Sequence, residues 1–217
     1  VRAEELEAID SSRQVIVNLS LNGATLIFAI TLATSLIGLF SSPQLVERCL
    51  FRPYWLTRRK EYHTLVTSGF VHADVMHLLF NMVTFYFFAF PLERYLGTGR
   101  FLFLYFAGLL ISHAGTYHKH RNNPEYASLG ASGAISAVLF AAIVYFPTLS
   151  LFILPIPFPI PGPLFAVLYL AYSWWSSKHP HGRINHDAHL GGALTGLAFV
   201  ALTKPSAYVQ LFYSVFG

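Results

Sequence analysis

Three short stretches of this chain hold residues whose types and spacing suit acyl transfer. GASG at 130–133 carries Ser132, NHDAHLGGALTG at 185–196 carries His189, and HADVMHLLFN at 72–81 carries His72, His77 and Asn81. A serine hydroxyl is a poor nucleophile until a neighbouring base takes its proton, and a neutral imidazole with an ordinary pKa of about 6.5 can do so near neutral pH. Ser132 and His189 fit those two roles. Asp187 does not complete a triad, because residues two apart on a helix do not face each other. The pair therefore reads as a dyad. His186, three residues before His189, could orient its ring, but reads more simply as an exposed loop histidine. Acyl transfer also needs donors aimed at the developing oxyanion. His77 and Asn81, four apart, share a helix face and could donate there, joined by the Ser132 backbone N–H at a helix start. Glycines 130 and 133 let the backbone come close to a substrate.

Such residues need elements to hold them, and composition says which. The chain has 217 residues, 54% hydrophobic and 11% charged, with a mean hydropathy of +0.51. That is far more apolar than a soluble domain and reads as an integral membrane protein. The one cysteine, Cys49, cannot form an internal disulfide. The net charge is +4, and no basic patch interleaved with aromatics points to nucleic acid. Residues 1–18 are polar and lack a signal-peptide pattern, so they read as a short soluble segment. A bilayer core of roughly 30 Å needs about 20 mostly apolar residues per helix. Six segments qualify, near 19–40, 75–92, 101–117, 131–147, 162–177 and 187–204, with 205–217 left as a C-terminal tail. The connection 41–74, with RCLFRPYWLTRRKEYH, suits a partly interfacial loop. LERYLGTGR is expected to turn between the second and third spans. LPIPFPIPGP at 154–163 alternates proline and so must connect rather than span.

In an up-and-down bundle every even-numbered helix starts on the same membrane face, so all three polar clusters share one face. Small residues let helices approach closely in lipid. Gly192 and Gly196 lie on the His189 side of the sixth span, and Gly133 heads a small-residue row beside Ser132. Two such faces would bring Ser132 against His189. Orientation is less straightforward: the positive-inside rule, dominated by Arg48, Arg52, Arg58, Arg59 and Lys60 in the first loop, favours an amino terminus outside.

These residues together resemble the rhomboid intramembrane serine proteases. The matching pieces are His-x4-His-x3-Asn in HADVMHLLFN, Gly-x-Ser-Gly in GASG, and Ala-His-x2-Gly-x3-Gly in AHLGGALTG, over about residues 55 to 204, with LERYLG similar to the family's connection after the second helix. The resemblance implies an all-α, polytopic membrane protein, a bundle of six transmembrane helices over 19–204. It implies Ser132 as nucleophile and His189 as general base, His77, Asn81 and the Ser132 amide around the oxyanion, and His72 and Gly130 as supporting positions. It implies no metal or organic cofactor, and as partners the lipid bilayer and transmembrane protein substrates, cleaved where their helices unwind near the membrane surface. The proline-rich stretch and INHDAHLGG look like the mitochondrial-type branch, which also occurs in bacteria. The expected location is a bacterial inner membrane, with the mitochondrial inner membrane as the alternative. Bacterial members usually have a cytoplasmic amino terminus, opposite to the charge count.

Two departures stand out. His63-Thr64 replaces a common Trp-Arg pair in the first loop, and Ser136 stands where an aromatic commonly stacks on the catalytic histidine. The second departure keeps open a non-cleaving rhomboid-like protein that binds membrane helices. A third reading, a metal-handling membrane protein, draws on His118, His120, His179, His181, His186 and His189, but the chain has no His-Glu-x-x-His.

Overall fold

The structure, a computed structural model, describes residues 22–153, 157–179 and 184–217. The proposed soluble segment 1–18 lies outside them, as do 19–21 of the first expected span and part of the proline-rich connection. The described chain is essentially all-α. Its helices are α1 (Gly23–Phe40), α2 (Pro43–Cys49), α3 (Pro53–Arg58), α4 (Thr64–Thr67), α5 (Val75–Leu96), α6 (Thr98–His120), α7 (Ser132–Tyr145), α8 (Gly162–Lys178), α9 (His186–Thr203) and α10 (Ser206–Phe216). A two-residue ribbon, β1 (Ser150–Leu151) against β2 (Ile160–Pro161), is antiparallel and pairs Ser150 with Pro161. Each of the six expected segments coincides with a helix. Two of these, Gly23–Phe40 and Val75–Leu96, are each long and apolar enough to cross a bilayer by length and composition.

α7 is the hub. Every residue from Gly133 to Tyr145 is buried, and α9, α6, α5 and α8 pack around it. An all-round apolar sequence such as SGAISAVLFAAIVY has no polar face to offer, so its place is the centre. Fourteen residues suffice for a helix sunk among its neighbours, whereas the helices around it expose apolar side chains such as Phe80, Phe87, Phe103, Val167 and Leu202.

The connection 41–74 is not a plain loop. It folds into α2, α3 and α4, and Arg58 and Arg59 lie over the rings of Tyr54 and Trp55 at 3.9 and 3.7 Å. The turn expected at LERYLGTGR shrinks to one residue. α5 runs on to Leu96 and α6 restarts at Thr98, with Gly97 at φ +80° between them. The helix persists through Leu92 and Glu93 because both are buried, and Glu93 has a task there. Its carboxylate accepts the backbone N–H groups of Gly23 and Ala24 at 2.8 and 2.9 Å, donors that the first turn of α1 leaves unpaired. Asn22 caps the same end by accepting from the Thr25 N–H at 2.8 Å. Residues 205–217 carry α10, docked by Ala207 and by a Tyr208 hydroxyl that donates to the Leu197 carbonyl at 2.7 Å.

Candidate active site

The starts of α5, α7 and α9 meet, and each start is shaped by its own sequence. Asp74 caps α5 by accepting the His77 N–H at 2.8 Å. Asn185 caps α9 by accepting the Ala188 N–H at 3.1 Å, and its amide exchanges hydrogen bonds with Thr116 of α6. α7 has no side-chain cap, so its first N–H groups, that of Ser132 among them, are left for another partner.

The approach to Ser132 is held by its backbone. Ser128 and Phe51 exchange two N–H···O bonds of 2.9 Å, and the Gly130 N–H donates to the Ser68 carbonyl at 2.8 Å. Gly130 sits at φ +110°, and a Cβ there would lie 2.6 Å from His77 Cε1. Only glycine meets both demands. The segment therefore lies directly against the His77 ring.

Contact between α7 and α9 is closer still. A Cβ on Gly192 would sit 2.0 Å from the Gly133 carbonyl oxygen, and one on Gly196 would sit 2.2 Å from that of Ala137. Gly133 has no room either, since its Cβ would meet Ser112 Oγ at 2.3 Å. Backbone thus touches backbone one residue after Ser132 and one turn after His189. Ser132 opens α7 and is partly exposed; His189 lies in the first turn of α9, also partly exposed. Among the described residues no hydrogen bond joins them. Such bonds commonly tighten only with substrate in place.

His72 is fully buried in the loop before α5 and stacks edge to face on His77, with ring centroids 4.8 Å apart. Ser35 of α1 gives its proton to the Phe70 carbonyl at 3.1 Å, which leaves its oxygen to accept from His72 Nδ1 at 2.9 Å. Burial pushes the His72 imidazole down to about 3, with His77 adding to the effect, so this ring is neutral at physiological pH. Asn81 is buried and donates one amide hydrogen to the carbonyl of His77 at 2.8 Å. Its second amide hydrogen remains available.

Asp187 pairs with Lys119 Nζ at 2.8 Å rather than with His189. His186 corrects an expectation. It is buried, 6% exposed, and presents its ring edge-on to His189 at 5.9 Å. The Asn185 cap starts the helix at His186, which turns that side chain inward instead of leaving it on a loop. Sequence reasoning missed Tyr169 of α8 altogether. Its ring faces His189, centroids 6.1 Å apart and planes 23° from parallel, and its hydroxyl is 3.1 Å from Ser136 Oγ. No motif or local spacing signals it. Among the described residues no group of three His, Cys, Asp or Glu is placed to hold a metal ion, and His181 lies outside them.

Comparison with known proteins adds a lineage to this geometry. Residues 59–206 match the Rhomboid domain. RHOMBOID-like protein 12, mitochondrial, of Arabidopsis thaliana is 32% identical over 158 residues, 65% of this chain and 47% of its own. Rhomboid protein 1, mitochondrial, of Saccharomyces cerevisiae is 30% identical over 174 residues, 75% of this chain and 49% of its own. A Bacillus subtilis protein is 43% identical over a shorter stretch of 75 residues, 35% of this chain and 37% of its own. The matches thus span about half or less of these relatives' length.

Proposed function

Because the chain belongs to the rhomboid family of membrane proteins, we propose that it is an intramembrane serine endopeptidase that cuts peptide bonds in or beside transmembrane segments of its substrates. The observation that carries this reading is the backbone contact at Gly133 and Gly192, which brings the helix starts of Ser132 and His189 face to face. His189, as neutral imidazole, takes the Ser132 hydroxyl proton while Ser132 Oγ attacks the scissile carbonyl carbon. The oxyanion that forms is met by the Ser132 N–H, the His77 ring and the free amide hydrogen of Asn81. When the intermediate collapses, the imidazolium returns its proton to the leaving amine. Water, deprotonated by His189, then attacks the acyl carbon, and as the bond to Ser132 Oγ breaks the imidazolium returns its proton to that oxygen. Every step uses water and groups already on the three helices, and none calls for a metal or organic cofactor.

In the bilayer, α1, α5, α6, α7, α8 and α9 are the six spans, with α7 too short to cross except as the core of the bundle. Starts of α5, α7 and α9 then open toward one surface, where water and an unwinding substrate helix can both reach Ser132. The mitochondrial relatives cover more of this chain than the Bacillus one, so a mitochondrial membrane replaces the bacterial inner membrane as the favoured location.

Fluorophosphonate labelling of the purified chain in detergent tests the proposal, with the parent compared to Ser132→Ala and His189→Ala. The parent is expected to take the label and both variants to lose it. A folded parent that takes none would favour the non-cleaving reading, a protein that binds membrane helices. That second reading has one observation on its side, the missing hydrogen bond between Ser132 and His189.

A further inference from the structure

His189 has an orientation problem. Its ring turns about two side-chain bonds, only some orientations aim a nitrogen at Ser132, and among the described residues no hydrogen bond holds it. What it has instead is packing: His186 stands edge to face with it and Tyr169 lies nearly parallel to it. Aromatic rings 4.5–7 Å apart attract one another in defined geometries. A flat ring lying nearly parallel to an imidazole restricts its plane in a way an aliphatic side chain does not.

Tyr169 is itself well fixed. Phe140 of α7 and Phe165 of α8 flank it at 5.3 and 5.4 Å. Its hydroxyl bonds Ser136 Oγ, one turn beyond Ser132 on the same face of α7. The Ser132 helix therefore grips the tyrosine that faces the histidine. Of α8, Gly162, Ser173 and Ser176 are buried, and Phe165, Ala166 and Leu170 pack partly buried beside Tyr169.

We infer that Tyr169 is a positioning residue for His189: clamped through its hydroxyl to Ser136, its ring sets the plane of the imidazole relative to Ser132. This inference rests on the protease reading, since it assigns how the dyad is aligned. It also accounts for Ser136. The serine holds from across the site a ring that α7 does not itself supply.

The test uses the full chain in detergent with Tyr169→Phe, Tyr169→Leu and the transposed pair Ser136→Tyr with Tyr169→Ala. Two readouts are taken, the rate of fluorophosphonate labelling and the ring signals of His189 in carbon-13 histidine NMR, assigned by their loss in His189→Ala. Tyr169→Leu is expected to label at least tenfold more slowly and to move the His189 signals, with thermal unfolding within a few degrees of the parent. Tyr169→Phe keeps the ring but loses the clamp to Ser136, so it should label more slowly than the parent and faster than Tyr169→Leu; a parental rate overturns the role given to the clamp. The transposed pair should recover most of the lost rate, because it returns a ring to the site. Parental labelling by Tyr169→Leu, or unmoved His189 signals, overturns the inference and leaves the protease reading intact. A parent that takes no label sinks the protease reading instead, and broadening or doubling of the His189 signals in Tyr169→Leu, which a lost ring current alone does not produce, then decides whether Tyr169 fixes the ring.

Discussion

Single side chains at this site carry distinct loads, and substitutions should separate them. Asn81 spends one amide hydrogen on its own helix, so Asn81→Ala removes a donor without unfolding α5. Losing one oxyanion donor costs on the order of 10²- to 10³-fold in kcat. The expected outcome is a fall of about 10²-fold in cleavage of a transmembrane reporter in proteoliposomes, with KM little changed. His72 has a different signature. Its folded pKa, about 3, lies below the ordinary 6.5, so the unfolded chain binds the proton more readily as pH falls. Its contribution to stability is therefore complete above pH 6.5 and declines from there toward pH 3, by up to about 1.4 kcal/mol per pH unit. Thermal unfolding followed from pH 7.5 to 4.5 should show this decline, and His72→Asn should make it shallower.

At the scale of helices, the tightest joint is the most exposed to mutation. Gly192→Ala puts a methyl 2.0 Å from the Gly133 carbonyl oxygen, and α9 must move away to admit it. Overpacking of this kind costs about 1–3 kcal/mol, here with an added penalty in geometry. We expect a lower unfolding temperature and a labelling rate reduced tenfold or more. Gly130→Ala strains a second joint, since it adds positive-φ strain to a clash with His77, and should slow labelling as well. How far these joints could be read beforehand depended on distance along the chain. Runs of apolar residues located the long helices, and small residues at helical spacing marked Gly133, Gly192 and Gly196. α2, α3 and α4 escaped because helices of four to seven residues leave no periodic signal. α10 escaped because a single amphipathic stretch after the last span looks like a tail. Tyr169 escaped for another reason: it stands on α8 and His189 on α9, and nothing in the sequence near 169 records what faces it. His186 was misread because a cap one residue away decides whether a side chain belongs to a loop or to the first turn of a helix.

For the molecule as a whole, the proposed six crossings make a claim about sides. Single cysteines at Asn123 and Ser177, placed in a Cys49→Ser background, should react with a membrane-impermeant maleimide from the same side as native Cys49, and cysteines at Arg94 and Lys204 from the other. A mixed pattern would break the six-span arrangement without touching the chemistry of Ser132. The buried Glu93 has a consequence for the order of events in biosynthesis. The backbone groups it holds at Gly23 and Ala24 lie 70 and 69 residues earlier in the chain. At roughly 5–20 residues per second, the ribosome needs on the order of 4 to 14 seconds to make that interval. Through that time the amino-terminal end of the first helix lacks this latch, held further along by Ser35 on Phe70 and His72 once they are made, and its final seat is set when the end of α5 emerges.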